Sequence, residues 1–489
     1  MNILMAASEM TPFCQTGGLG DVVGSLPKAL SDLGIKVSVI IPLYRKVDRK
    51  KYGLIPHGRK ISFSFAGRSE SFRLFKADWG KAIVFFVNKP EYFDREECYG
   101  TGDIDYPDNA ERFIFFSRAV VECALRLRPA PGVIHCHDWQ TGLIPVLLAN
   151  LARGDKKSRK IATVFTIHNL GYQGIFPREA MNLTGLDWPL FNPEGLEFWD
   201  RINFLKGGMV FADLLTTVSR KYAEEIQTPE YGFGLEGVAR RHRDKLTGIL
   251  NGANYDNWNP SADPYLPFHY SSQAPGGKAA CKQALQAELD LTVDLKTPLV
   301  GMVSRLAEQK GIELLLASAD SLVNSGIEIA VLGLGPESVH QRLKELSARW
   351  PQRFRCAIGY DTRLSHLITA GSDFMLMPSR YEPCGLNQIY SLRYGTIPIV
   401  RATGGLEDTV TDIREDPASG NGFKFREYSP NAFAETVELA VDFYRRGGDI
   451  WKKLMANAFA ADFGWSQSAR YYLEVYERAC RGKRPESHK

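Results

Sequence analysis

Arg305 and Lys310 lie five positions apart in Val303-Ser304-Arg305-Leu306-Ala307-Glu308-Gln309-Lys310-Gly311, between an apolar run of strand length and a helical stretch. Across such a loop both cationic heads can converge on one anion. The guanidinium gives planar two-point contact to phosphate oxygens, and the ammonium gives a compact point charge. Glu382 lies in a similar loop, Ser379-Arg380-Tyr381-Glu382-Pro383-Cys384-Gly385-Leu386-Asn387-Gln388, directly after the run Phe374–Met377. A carboxylate there either caps a helix whose first free N–H groups belong to Cys384, Gly385 and Leu386, or does chemistry beside sugar hydroxyls. In the first half, His168-Asn169 follows the run Ile161–Ile167 and opens a polar, glycine-rich loop reaching Gly174, the kind that lines sites. His135-Cys136-His137-Asp138-Trp139 follows Val133–Ile134, and alternation puts His135 and His137 on one face. No further ligand pair shows metal spacing, so His135 reads as a hydrogen-bonded strand-end histidine.

The elements that must hold these residues repeat in two series. Thr16-Gly17-Gly18-Leu19-Gly20-Asp21-Val22-Val23 returns as Thr403-Gly404-Gly405-Leu406-Glu407-Asp408-Thr409-Val410. Each copy follows an apolar run and opens a helical stretch. A strand, a paired-glycine turn and a helix start together expose N–H groups at a positive helix terminus, a ready anion site. The two copies point to two similar lobes sharing one ligand. Strand-length runs are Ile3–Ala7, Val37–Ile41, Ile83–Val87, Val133–His135, Ile161–Ile167 and Leu214–Val218. A second series comprises Leu299–Val303, Ile329–Leu332, Phe354–Ile358, Phe374–Met377 and Ile397–Val400. Short β-branched runs between helical segments read as parallel strands buried on both faces. Between the series, Asn251–Gly277 carries four prolines and reads as a linker or hinge. The fold class is therefore α/β: two doubly wound domains facing across a cleft, with ligands beyond the carboxyl ends of the strands.

A chain of 489 residues exceeds one ordinary core, so two or three domains are expected. A net charge of +4 implies no nucleic-acid partner, and no apolar stretch is long enough to span a bilayer. No secretory signal is visible, and the eight cysteines form no CxxC. That usage fits a reducing, cytoplasmic setting rather than a disulfide framework. The basic tail Arg481–Lys489 reads as a solvated end.

Taken in order, Ser8-Glu9-Met10, Thr16-Gly17-Gly18-Leu19, His137-Asp138-Trp139, His168-Asn169-Leu170, the Arg305–Gly311 loop, Pro378–Leu386 and Thr403-Gly404-Gly405-Leu406 form a specific set. Through it the chain, from about Met1 to Tyr476, resembles the bacterial glycogen synthases and the related plant starch synthases. Wider relatives repeat a glutamate eight positions after the first; here that position is Tyr390, the glycogen and starch synthase pattern. The resemblance implies a GT-B fold of two Rossmann-like domains. Residues 1–251 would form the acceptor side and 252–465 the donor side, with 466–489 a C-terminal helix packing back on the first domain and then a frayed tail. It implies transfer of glucose from ADP-glucose to the non-reducing 4-hydroxyl of an α-1,4-glucan, with retention of configuration and with neither metal nor cofactor.

Carried over by position, the catalytic set is Glu382, His168, Arg305, Lys310 and Asp138. The donor set adds Gln15, Gly17, Gly18, Asp21, Asn251, Tyr360, Cys384, Gly385, Leu386, Thr403, Gly404 and Gly405. Arg305, Lys310 and the Gly17-Gly18 amides would take the charge of the leaving diphosphate. His168 would contact the glucose near the reacting carbon, Glu382 and the Cys384–Leu386 amides would hold its hydroxyls, and Asp138 would orient donor or acceptor. Tyr360 would stack on the nucleobase or serve as a core aromatic. One position departs: the family's Lys-Thr-Gly-Gly-Leu is here Gln15-Thr16-Gly17-Gly18-Leu19, so a charge is missing beside the donor. The alternatives are a UDP-glucose-dependent synthase, a glucosyltransferase making a short oligosaccharide, and, in another class, a non-catalytic glycan- or nucleotide-sugar-binding protein. Oligomeric state is not encoded in any motif.

Overall fold

The structure, a computed structural model, describes residues 1–102 and 104–483, so the last part of the basic tail, 484–489, lies outside the described residues. The chain divides into two units. One is Met1–Gly252 together with the chain from Trp465 on; the other is Ala253–Gly464.

The first unit is built on one nine-stranded sheet. In chain order its strands are β1 (Asn2–Ala6), β2 (Lys36–Pro42), β3 (Ile55–Phe65), β4 (Arg68–Trp79), β5 (Ala82–Asn88), β6 (Val133–His137), β7 (Ala162–Ile167), β8 (Leu214–Thr217) and β9 (Leu246–Gly248). They lie in the order β9-β8-β7-β6-β1-β2-β5-β4-β3. The seven from β9 to β5 are parallel, and all but the edge strand β9 are mostly buried, as continuous apolar runs require. The antiparallel hairpin of β3 and β4 extends the doubly wound pattern and has no counterpart in the expected strands. Its apolar residues alternate with polar ones, so it offers no continuous run. Phe63, Phe65 and Phe72 turn to one face and meet the ring of Phe115. β6 runs two residues past its expected end and takes His137 into the sheet.

The second unit holds six parallel strands: β10 (Leu299–Val303), β11 (Glu328–Gly333), β12 (Phe354–Ile358), β13 (Phe374–Met377), β14 (Ile397–Arg401) and β15 (Phe423–Phe425). Their order is β12-β11-β10-β13-β14-β15, so the winding reverses between β10 and β13. A ligand crevice opens at such a reversal, beyond the carboxyl ends of the two strands. The loops that follow β10 and β13 are those carrying Arg305, Lys310 and Glu382. In the first unit the reversal falls between β1 and β6, which deliver the first glycine turn and Asp138.

Two expectations are corrected. From Ala253 onward the proline-rich segment read as a linker or hinge is part of the second unit. Leu266 and Tyr270 are buried in its core, Trp258 stacks on both His366 and Tyr390, and Asp263 accepts from His366 and Tyr394. Its prolines prevent regular structure, while its aromatic residues still anchor it. The cysteines also do not all stand alone: the sulfurs of Cys14 and Cys98, 84 positions apart, come within bonding reach. Spacing along the chain gave no sign of this pair, because the fold alone brings them together. The helix Trp465–Gly482 packs on the helix Gly18–Asp32 and on β6 and β7, and Tyr476 hydrogen-bonds His135 at 2.8 Å.

Candidate active site

Beyond β10 and β13 the two loops are tied to each other. The Lys310 ammonium lies 2.5 Å from a carboxylate oxygen of Glu382, and the Ser379 hydroxyl donates to the same oxygen at 3.1 Å. Glu382 is buried, and these two donors supply the partners a buried carboxylate requires. The capping alternative fails: the next helix is Asn387–Arg393, and the Glu382 side chain is spent on Lys310 and Ser379. The loops are also joined through their backbones, the Arg380 amide donating to the Gln309 carbonyl at 2.9 Å. Gly311, at φ 69°, has no room for a Cβ against the Pro378 carbonyl. Arg305 is exposed at the mouth of its loop and donates to Gln309 at 3.3 Å. The amides of Gly385 and Leu386 have no hydrogen-bond partner among the described residues. Tyr360, just past β12, is 90 % exposed, which excludes the core reading and leaves its ring free to stack.

The twin glycine turns are not equivalent. In the second, a Cβ on Gly404 would strike the carbonyl of Glu382, and one on Gly405 the carbonyl of Cys384. The Gly405 amide donates to Glu382 O at 3.1 Å, and Thr403 is fully buried. This turn therefore presses the Glu382 loop into place, and its Gly405 amide is not offered to a ligand as expected. In the first turn a Cβ on Gly17 or Gly18 would meet nothing, and both residues are exposed. The Gly17 amide is nevertheless occupied. The buried Glu9 carboxylate accepts from Thr16 N at 2.5 Å and Gly17 N at 3.1 Å, and from the Tyr99 hydroxyl at 2.6 Å. The Gly18 amide has no partner among the described residues. Gln15 bonds Asp21 at 2.9 Å through its amide nitrogen and accepts from Thr11. Burial pushes the Asp21 carboxyl up to about 6; Gln15 opposes the rise and the charge of Glu9 adds to it. Sequence reasoning missed the clamp of Glu9 and Tyr99. Glu9 lay within a quoted motif, but nothing linked it to a tyrosine 90 positions away.

Beside β6 and β7, Asp138 sits at φ 56°, a backbone setting that costs a non-glycine residue strain. That setting directs its carboxylate onto the amides after β7, and His168 N donates to it at 2.7 Å. Burial pushes the Asp138 carboxyl up to about 7, against the bonds from the His168 and Asn169 amides. The ring of His168 meets that of His137, Nε2 to Nδ1, at 2.9 Å. His135 is held between Tyr476 and Thr166, as the hydrogen-bonded reading required. Burial lowers His135 and His168 to about 3, and His137 well below the ordinary imidazole value, so all three are neutral near pH 7. Asn251 is buried with its side-chain oxygen unpaired. Among the described residues no group of three or more His, Cys, Asp or Glu is placed to hold a metal ion, and no helix is long and apolar enough to cross a membrane.

Comparison with known proteins agrees with this geometry. Residues 2–241 match the family described as the starch synthase catalytic domain, and residues 289–444 match the glycosyl transferases group 1. A glycogen synthase of Koribacter versatilis is 47% identical over 491 residues, covering 99% of each chain. That of Syntrophotalea carbinolica is 44% identical over 479 residues, covering 98% of this chain and 99% of its own. The catalytic domain of starch synthase IV from Arabidopsis thaliana, bound to ADP and acarbose, superposes with a TM-score of 0.90 at 34% identity, over 98% of this chain and 99% of that one.

Proposed function

The chain belongs to the glycogen and starch synthase family, and on that premise we propose that its glucosyl donor is ADP-glucose, used in the cytoplasm with retention of configuration and with no metal or cofactor. The acceptor is then the non-reducing 4-hydroxyl of an α-1,4-glucan. The observation that carries the reading is the Lys310–Glu382 pair at the switch point of the second sheet, with Arg305 on the same loop as Lys310. Cleaving the bond between the anomeric carbon and the diphosphate leaves negative charge on phosphate oxygens and positive charge on the sugar. Arg305 and Lys310 answer the first charge, and the Glu382 carboxylate answers the second. Two cations in a loop can do for a diphosphate what a divalent ion does elsewhere. The exposed ring of Tyr360 suits a purine, and the relative of known structure holds ADP. The neutral ring of His168 and the Asp138 carboxyl are the groups the family pattern assigns to the sugar.

The test is incorporation of glucose into glycogen by the purified protein, from ADP-glucose and UDP-glucose in parallel, with and without EDTA. Digestion of the product by enzymes specific for α-1,4 links reads the configuration. Transfer from ADP-glucose that EDTA leaves intact is expected. Faster transfer from UDP-glucose, or loss in EDTA with recovery on adding magnesium, would overturn the donor or the metal-free part of the reading.

A further inference from the structure

His137 is fully buried, and its two ring nitrogens are in opposite situations. Nδ1 meets His168 Nε2 at 2.9 Å, whereas Nε2 is sealed from solvent with no partner. Both rings are neutral, so the contact holds one proton. If His168 supplied it, the proton of His137 would sit on Nε2 as a buried N–H with no acceptor. If His137 supplies it from Nδ1, Nε2 keeps only a bare lone pair. An orphaned buried N–H is the rarer and costlier of the two, so the second arrangement wins. His168 must then carry its own proton on Nδ1, which has no partner among the described residues and is not sealed from solvent.

We propose that His137 is a positioning residue that fixes His168 as its Nδ1–H tautomer, so that the open edge of His168 donates a hydrogen bond to an oxygen of the glucosyl unit. This rests on the reading of His168 as a sugar contact. Asp138 fixes the backbone of His168 through its amide, and His137 fixes the ring. His135, whose ring centre lies 4.0 Å from that of His137, backs the pair and is itself pinned by Tyr476 and Thr166. A neutral donor suits a sugar that gains positive charge during transfer, since a protonated imidazole would oppose that charge.

The experiment has two arms. Nitrogen-15 spectra of histidine-labelled protein, with His168 assigned by its loss in His168→Ala, should show a protonated Nδ1 and a bare Nε2. His137→Leu should blur that signature and lower kcat about tenfold, the weight of one hydrogen bond, with donor KM little changed. His137→Asn, whose amide nitrogen can stand where Nδ1 stood, should recover most of the rate. A bare Nδ1 on wild-type His168 would overturn the proposal, as would His137→Leu with wild-type kcat per folded molecule. The spectrum is read without turnover. An inactive wild-type enzyme with the expected tautomer would therefore indict the glucosyltransfer reading rather than the role of His137.

Discussion

The Lys310 ammonium has an anion at hand before any substrate arrives, and this sets what its removal costs. Lys310→Ala leaves the buried Glu382 carboxylate with only the Ser379 hydroxyl, and a buried charge stripped of its counter-ion is destabilising by roughly 3–5 kcal/mol. The variant should lose stability and at least about 10²-fold in kcat, because the lost cation also serves the leaving diphosphate. Glu382→Gln separates the two effects. It keeps the side-chain shape and an acceptor oxygen for Lys310 and Ser379. Lys310, the less buried partner, can turn its charge toward solvent, so the melting temperature should fall less than in Lys310→Ala while kcat falls steeply. Unchanged turnover per folded molecule would reduce Glu382 to a structural partner of Lys310. Position 15 offers a second test. Asp21 titrates near 6 in the folded chain, above its ordinary value of 3.8. The folded state therefore holds a proton that the unfolded state has released, and this contribution to stability fades as pH rises from about 4 through 6. Gln15→Lys would place a cation beside Asp21 and keep it ionised. The variant should gain stability over wild type at pH 7.5 but not at pH 4.5, and its donor KM should fall several-fold. Equal melting temperatures at both pH values, with KM unmoved, would show that residue 15 reaches neither Asp21's charge nor the diphosphate.

At the scale of elements, the twin Thr-Gly-Gly-Leu turns show what a sequence discloses and what it withholds. Both were legible as strand-to-helix turns, because paired glycines after an apolar run have few other uses. Their different tasks were not, since these depend on what packs against them. The second turn lies under the carbonyls of Glu382 and Cys384, whereas the first has open space where a Cβ would point. Gly17, at φ −154°, has an extended backbone that any residue adopts. Gly17→Ala should thus fold within about 0.5 kcal/mol of wild type. Gly405→Ala must displace the Cys384 backbone and should cost about 2 kcal/mol or more, with loss of activity through the shifted Glu382 loop. Urea melts of the two variants decide the matter, and equal stabilities would sink the distinction. The loops after β10 and β13 were read correctly because each follows a continuous buried run. The β3–β4 hairpin escaped because alternating residues do not make such a run, and the Glu9–Tyr99 contact because ninety positions separate its partners.

For the whole molecule, a net charge of +4 spread over 489 residues leaves local arrangement, not overall field, to attract an anionic donor. The cations assigned to the diphosphate, Arg305 and Lys310, and the exposed Tyr360 all belong to the unit Ala253–Gly464, which has apolar clusters of its own. A ligand that binds only the folded form of a unit stabilises it by mass action, about 2.7 kcal/mol at a hundred times its dissociation constant. For a unit of this size, about 200 residues, each kcal/mol moves the melting temperature by about 2–4 °C. ADP alone, without glucan or metal, should therefore raise the melting of this unit by roughly 5–10 °C, and UDP by less if adenine is the favoured base. Hydrogen exchange locates the effect: slower exchange is expected in the loops after β10, β12 and β13. In Lys310→Ala the same ADP concentration should give little of the shift, whereas His137→Leu, altered only in the first unit, should keep it. If saturating ADP left melting and exchange unchanged in wild type, the second unit would not be the nucleotide-binding one. The charges of Arg305 and Lys310 would then need another anion to explain why two loops bring them together.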